Sequence, residues 1–260
     1  MKATDTTYLR RLEKPGQPVD VVIDTDAYNQ VDDLYAIAYL LLSQDKLNLQ
    51  AILAAPFYSP PSLGRLRQNT SAKEGMEQSY QAIQDLLHIM GKDSFSSRVF
   101  RGSEASLPDE HTPVDSPAVQ ELIRLAREHS PERPLYIISI AVLTNVASAI
   151  LAAPDIADRI VIIWLGGHSL DWGTCDDFNA FQDIAAARVV FGCRAAVIQL
   201  PCNGVVSEFR ISGIELQYWL EGKNPLCSYL LKQTLDLMGP KATFPRWSKP
   251  VWDVVAGAWL

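Results

Sequence analysis

The feature that most constrains the fold is a repeated alternation of apolar runs, rich in Val and Ile, with longer segments of helical period. The runs are continuously apolar, which indicates strands buried on both faces of a parallel sheet. A helix after each strand is typical of α/β proteins whose helices cover the sheet. We therefore predict an α/β fold with a mainly parallel sheet flanked by helices, in a single domain spanning residues 1–260. The predicted strands are 19–24, 49–55, 98–101, 135–140, 160–165 and 195–200, and the predicted helices are 32–43, 72–90, 116–128, 144–152, 184–191, 214–220 and 227–237.

Composition narrows the class of protein. Of 260 residues, 48% are hydrophobic and 20% charged, as in ordinary globular domains. The 23 Lys and Arg against 30 Asp and Glu give a net charge of −7, which argues against nucleic acid or an anionic membrane as partner. We see neither a membrane-spanning stretch nor an apolar signal core in the first residues. The four scattered cysteines, one of them Cys175, are expected to be reduced, so the prediction is a cytoplasmic protein.

Four carboxylates cluster where the first predicted strand meets the first long helix: Asp24, Asp26, Asp32 and Asp33. Ligands of open α/β sheets bind at the carboxyl ends of strands. Carboxylates this close raise one another's pKa values unless a positive charge joins them. The run itself holds no Lys or Arg, so a hard cation with oxygen ligands is one interpretation. The other interpretation is an acidic start of a helix, favoured by the helix dipole, and these residues alone leave both open.

The acidic run resembles the N-terminal DxDxxxDD signature of the inosine/uridine-preferring nucleoside hydrolase family, with two extra residues in its loop. That resemblance implies a Rossmann-like fold and calcium-dependent hydrolysis of the N-glycosidic bond of ribonucleosides, giving free base and ribose. It also implies a small-molecule nucleoside as partner and leaves a homo-oligomer open. Further stretches follow in the family's order and are similar to its Leu-Thr-Asn turn, its Met-Gly-Gly and Glu-Phe-Asn segments and its His-Asp pair: 137–147, 165–167, 177–183 and 252–253.

The resemblance also implies a role for each matching residue. Calcium would be held by Asp26, Asp33, Asp253 and the main-chain carbonyl of Ile140, an all-oxygen set of the kind calcium prefers. Asp26 would also act as the general base that takes a proton from water. Asp24 would support the loop that carries Asp26 without binding the cation itself. For Asp253 the alternative is a simple capping role at a terminal helix.

Binding of the substrate is implied for a second group of residues. Asp32 would accept hydrogen bonds from ribose hydroxyls, together with Asp177 and Asn179, although the latter two could equally serve a loop turn. Trp252 stands where the family has the His that protonates the leaving base, and an indole N–H cannot be a general acid near neutral pH. Trp252 would then stack on the base or belong to the core.

Other residues could fill the places in which this chain departs from the family pattern. His168 or Tyr58 could protonate the base, although a lone loop His is more often solvated. Asn69 could replace a ribose-binding Asn that the family has after the second strand. Charged residues of the same loop, such as Arg65 and Arg67, could form a lid that alters substrate choice, but we expect them to be a solvated surface.

Two rival functions remain open at this stage. A haloacid-dehalogenase-type phosphatase also begins with strand-Asp-x-Asp, but Ala27 and Tyr28 fit its loop poorly. A catalytically inactive nucleoside- or ribose-binding relative is favoured by Trp252 and by an apolar C-terminal segment, which suggests a truncated chain.

Overall fold

A central parallel sheet organises the chain, seen in a computed structural model that describes residues 6–63, 65, 67–174, 176–243 and 246–260. Every neighbouring pair in this six-stranded sheet is parallel, which confirms the predicted α/β class. Its strands are β1 (Val19–Thr25), β2 (Leu47–Ala54), β3 (Val99–Arg101), β4 (Leu135–Ser139), β5 (Ile160–Leu165) and β6 (Ala196–Leu200), in the spatial order β3-β2-β1-β4-β5-β6.

Helices cover both faces of this sheet, and the predicted elements end within two residues of the observed ones. The sequence prediction missed two short helices (α1 and α6 below) and an antiparallel pair of short strands, β7 (Arg210–Ser212) and β8 (Ser248–Pro250). The helices are α1 (Thr6–Arg11), α2 (Asp32–Leu42), α3 (Ala72–Ile89), α4 (Pro117–Arg127), α5 (Thr144–Ala152), α6 (Phe178–Phe181), α7 (Ile184–Gly192), α8 (Gly213–Leu220), α9 (Pro225–Met238) and α10 (Val254–Trp259).

The core consists of two apolar layers separated by the sheet. Ile23 and Ile138 face the layer that contains α2, α3 and α10, whereas Val22 and Ile137 face the layer that contains α4, α5 and α7. All four side chains are fully buried. Because successive strand residues point to opposite faces, a sheet covered on both sides needs an unbroken apolar run, as the sequence has.

The strand order places a topological switch point between β1 and β4. From β1 the chain runs outward to β2 and β3, then returns to the other side of β1 as β4. Connections on either side of such a point diverge and leave a crevice at the carboxyl ends of the strands. Asp26 follows β1 and Ile140 follows β4, and the Ile140 N–H donates to the main-chain oxygen of Asp24 at 2.9 Å.

The C-terminal helix returns to this crevice. Helix α10 packs against α2 and also contacts β4 and β5, with Ala256 buried in the same apolar layer as Leu40. The N-terminal ends of α2 and α10 therefore lie near each other, although the two helices are far apart in sequence. No helix among the described residues has the length and apolarity needed to cross a membrane.

Candidate active site

A cavity of about 280 Å³ opens at the switch point and is lined mainly by polar side chains. The structure brings together there every residue to which the family resemblance assigned cation binding or substrate binding. Those residues are Asp26, Asp32, Asp33, Ile140, Asp177, Asn179, Trp252 and Asp253.

Three of the carboxylates, those of Asp26, Asp33 and Asp253, are almost fully buried. Burial raises the pKa of Asp33 to about 7, with repulsion from Asp32 adding to the effect. Burial first, then neighbouring carboxylates, also raises the pKa values of Asp26 and Asp253 well above the usual range for aspartate. Asp33 and Asp253 lie close enough together that each affects the pKa of the other. The site thus holds more negative charge than its buried surroundings tolerate.

Asp253 reaches this cluster from the far end of the chain. It precedes α10 directly, but its side chain makes no capping hydrogen bond to that helix. The interpretation of Asp253 as a helix cap is therefore wrong. Its carboxylate instead feels the charges of Asp32, Asp33 and Asp26.

Asp24 supports the cavity from below. Its carboxylate is fully buried and accepts hydrogen bonds from Asn145 Nδ2 at 2.8 Å and Ser139 Oγ at 3.2 Å. Burial raises the pKa of Asp24 to about 7, against the opposing effect of these hydrogen bonds. The side chain ties the end of β1 to β4 and to the first turn of α5.

Asp32 is bound by donors from the C-terminal segment. Lys249 Nζ lies 2.8 Å from Oδ1, and the main-chain N–H of Trp252 donates to Oδ2 at 3.0 Å. The absence of Lys and Arg from the acidic run therefore did not mean that the folded cluster lacks a cation. Lys249 is 217 positions away in sequence, and no local pattern identified it.

Asp177 and Asn179 hold the loop that closes one side of the cavity. Asp177 Oδ1 accepts from the main-chain N–H of Gly167 at 2.8 Å and from that of Ala180 at 3.0 Å. Gly167 has a φ of +69°, a conformation that favours glycine. Asn179 Nδ2 donates to the carbonyls of Ile140 and Leu165 at 3.2 and 3.0 Å. Both side chains therefore hold the loop, and their contact with ribose stays a prediction.

His168 is part of the cavity wall, and the expectation that it is solvated is wrong. Its side chain is only 7% exposed, and its Nδ1 accepts from the main-chain N–H of Asn203 at 3.3 Å. The ring of Trp172 packs edge-on at 6.0 Å between centroids. Tyr58, the other candidate proton donor, is 46% exposed and lines a neighbouring cavity of about 830 Å³ instead.

Asn69 does not replace the missing ribose ligand. It is 4% exposed, and its side chain bonds to the main chain of Ser59 and Phe57 at 2.9 and 3.1 Å. It is absent from the lining of the acidic cavity. The hypothesis that Asn69 contacts ribose is therefore wrong for this structure.

Two residues of the site were missed as such by sequence reasoning, Asn29 and Arg65. Asn29 Nδ2 donates to Asp26 Oδ2 at 3.0 Å, and Arg65 Nη1 donates to Asn29 Oδ1 at 3.1 Å. The Arg65 guanidinium lies 3.7 Å from the centre of the Phe178 ring. Both residues line the cavity, and only their presence in polar loops near strand ends hinted at such a role.

Arg67 also departs from the solvated surface that was expected. It donates to the carbonyls of Tyr28 and Gln30 at 2.7 and 2.8 Å and to Gln233 Oε1 at 2.8 Å. Arg67 therefore fixes the loop between β1 and α2.

The donor chemistry of the cavity suits a hard cation, but the present arrangement does not form a coordination shell. Across the described parts of the chain, no group of three or more His, Cys, Asp or Glu side chains is placed to hold a metal ion. The carboxylates have protein partners instead: Asn29 for Asp26, and Thr25 at 2.6 Å for Asp33. The carboxylates are close enough to raise one another's pKa values. Coordination of a cation requires more, because the oxygens must also point at one common position. Buried, mutually repelling oxygens beside a carbonyl nevertheless fit the cation that the resemblance implies.

Comparison with known proteins assigns the chain to a family. The family model described as inosine-uridine preferring nucleoside hydrolase matches residues 62–260, so the chain belongs to that family of N-ribosyl hydrolases. The match begins after the acidic run at 24–33, and family membership therefore rests on the rest of the chain. It confirms the predicted enzyme class and removes the basis for the phosphatase alternative.

Solved structures of nucleoside hydrolases share the fold. A plant nucleoside hydrolase is 20% identical over 93% of this chain and 78% of its own, with a TM-score of 0.69. An inosine-guanosine nucleoside hydrolase is 21% identical over 91% and 76%, with a TM-score of 0.67. A purine-preferring ribonucleoside hydrolase from Gardnerella vaginalis is 20% identical over 92% and 78%, with a TM-score of 0.66. A comparison with curated protein sequences gives no match.

Proposed function

We propose that this protein hydrolyses the N-glycosidic bond of ribonucleosides in the acidic cavity, giving free base and ribose. The observation that carries the proposal is the meeting of Asp26, Asp33 and Asp253, from opposite ends of the chain, beside the carbonyl of Ile140. Membership of the nucleoside hydrolase family supports the same reaction class.

We propose calcium as the cofactor, held by these three carboxylates and that carbonyl. All four donors are oxygens, which hard cations of this kind prefer. A bound cation would offset the mutual repulsion that raises the pKa values of these carboxylates. A bound cation supplies charge neutralisation and polarisation of the attacking water.

Asp26 is the proposed general base. Asn29 Nδ2 fixes one carboxylate oxygen and leaves the other to accept a proton from water. Departure of the base leaves an oxocarbenium-like ribosyl centre, which nearby carboxylates stabilise electrostatically, as in glycosidases. Buried acids suit this role because their interaction with developing positive charge is strong where water is excluded.

Asp32, Asp177, Asn179 and Trp252 are proposed to contact the nucleoside, since all line the same cavity. His168 is the better placed of the two candidate donors to the leaving base, because its ring belongs to this cavity wall. We also propose a cytoplasmic location, from the scattered spacing of the four cysteines along the sequence. Three of them, Cys193, Cys202 and Cys227, are free thiols, and Cys175 lies outside the described residues. A homo-oligomer remains a hypothesis.

The test is release of reducing sugar from a panel of purine and pyrimidine ribonucleosides, with calcium and with a chelator. Asp26→Asn should lower kcat by about 10²–10⁴-fold, the usual contribution of a general base, while circular dichroism stays that of the wild type. Asp45→Asn, at an exposed position, is the matched control and should change nothing. Near-normal ribose release by Asp26→Asn would refute the assignment.

A second candidate function is binding of nucleosides or ribose without turnover. It is favoured by the contacts of Lys249 and the Trp252 main chain with Asp32. These contacts engage both carboxylate oxygens of Asp32, which would otherwise accept hydrogen bonds from ribose hydroxyls. Saturable binding of a nucleoside with no detectable ribose release, with calcium present, would support it over hydrolysis.

A further inference from the structure

Lys249 forms a buried ion pair with an acid of the site. Its side chain is 12% exposed and that of Asp32 is 2% exposed. Lys249 Nζ lies 2.8 Å from Asp32 Oδ1 and 3.2 Å from the carbonyl of Pro250. Burying two charges costs several kcal/mol per ion unless pairing and hydrogen bonds offset it. A pair this well satisfied therefore restrains both side chains.

Lys249 borders a cavity other than the acidic one. Asp32 forms part of the wall of two cavities, the acidic one and a mostly apolar one of about 340 Å³. Lys249 lines only the apolar cavity, with Tyr35 and Trp219 among its neighbours. Its positive charge thus lies outside the lining of the acidic cavity, to which Asp32 belongs.

That position changes the charge available to a cation. With Asp26, Asp32, Asp33 and Asp253 ionised, the cluster carries −4. Arg65 in the cavity wall brings the local sum to −3, and Lys249 brings it to −2. A fixed positive charge near a divalent cation repels it, and the repulsion is poorly screened where both are buried.

We propose that Lys249 is a positioning residue that acts as the fixed counter-ion of Asp32: it holds that carboxylate in place and weakens the affinity of the acidic cluster for a divalent cation. The proposal rests on the proposed function, since it takes Asp26, Asp33 and Asp253 as the cation site. It concerns the affinity for the cation. Removal of a lysine with a purely structural role would not increase that affinity.

The experiment is a charge series in the chain of residues 1–260, with calcium affinity measured by titration calorimetry and terbium affinity by luminescence. Lys249→Met should bind calcium about tenfold or more tightly than the wild type, from removal of one nearby charge. Asp32→Asn should bind it more weakly by a similar factor. The double variant, which has a neutral pair, and Lys249→Arg, which keeps the charge, should both lie near the wild type. Lys232→Met removes an exposed lysine paired with Asp236 on α9 and serves as the control.

A second comparison covers the case in which Lys249→Met alone fails to fold. Removal of Lys249 in the Asp32→Asn background should tighten calcium binding by the same factor, since neutral replacement of a buried ion pair is well tolerated. If the wild type binds calcium and neither comparison shows tightening, the role of Lys249 is wrong and the proposed function stands. If no variant binds either ion, the cation site itself is refuted and the Lys249 proposal fails with it.

Discussion

Asp24 shows at the scale of single residues how a carboxylate can organise a site that it does not line. Its two oxygens are bound by Asn145 and Ser139. Asn145 Oδ1 in turn accepts from the main-chain N–H and the hydroxyl of Ser103 at 2.8 and 2.9 Å. The Asn145 amide thereby joins three segments next to the acidic cavity, and Asp24 adds a fourth through Ser139. In a buried network of this kind each missing partner leaves another group unsatisfied.

Asn145→Ala is therefore expected to be strongly destabilising. It removes the partner of Asp24 Oδ1 and of Ser103, all three residues being fully buried. Buried groups left without partners cost about 1–3 kcal/mol each, and charged groups more. We expect a loss of about 2–4 kcal/mol in the free energy of unfolding in urea. Asn48→Ala, which removes an exposed amide bonded to Asp20, should cost less than about 1 kcal/mol; equal losses would contradict the network role.

At the scale of elements, the site is set by how closely helices approach the strand ends. Helix α3 packs against the segment that leaves β2, and Gly75 is the contact point. A Cβ atom on Gly75 would lie 2.0 Å from the carbonyl oxygen of Phe57 and 2.7 Å from Asn69 Nδ2. That segment also leads to Arg65 and Arg67, which hold the loop before α2. The distance between α3 and this segment therefore affects the positions of Arg65 and Arg67 beside the acidic cavity.

Gly75→Ala should destabilise the protein even though alanine is the better helix former. The steric conflict is with backbone atoms, which cannot move aside as a flexible side chain can, so a loss of about 1–3 kcal/mol is expected. Gly192→Ala is the matched change, because a Cβ there meets nothing within 4 Å. It should be neutral or stabilising by up to about 1 kcal/mol. Thermal melts of the two variants give the test, and a stabilised Gly75→Ala would refute the close approach.

At the scale of the whole molecule, one sheet separates two apolar layers that share every strand. Val22 and Ile23 are adjacent in β1 yet belong to different layers, so neither layer can lose its packing without exposing the other. Residues from both ends of the chain, Leu41 and Leu260, meet in the same layer. We therefore propose that residues 1–260 behave as one cooperative domain.

Calorimetry should show a single unfolding transition for this reason. Calcium at 100 times its Kd should raise the stability by about 2.7 kcal/mol, because it binds the folded state, and a chelator should abolish that gain. Magnesium at the same concentration serves as the ionic control and should stabilise less, since it requires stricter coordination geometry. Separate transitions for the two apolar layers would contradict the single domain.

Local patterns predicted the strands and helices well because each depends on neighbours in sequence. Runs such as 160–165 and the segment 144–152 were bounded correctly by apolar continuity and helical period. The pair β7 and β8 was missed, since three-residue strands carry no periodic signal. Asn69 was assigned to the wrong place, because loop geometry decides where an amide after a strand end points.

The sequence by itself determined the α/β architecture, and the family resemblance of its motifs named acids that line one cavity, among them Asp26 and Asp253. Only the tertiary structure decided how those acids are partnered: Lys249 behind Asp32, Asn29 beside Asp26 and Asn145 beneath Asp24. The physical reason is one of range. Periodicity and propensity act between residues that are close along the chain, whereas a buried charge is balanced by whichever group the packing brings within about 3 Å of it.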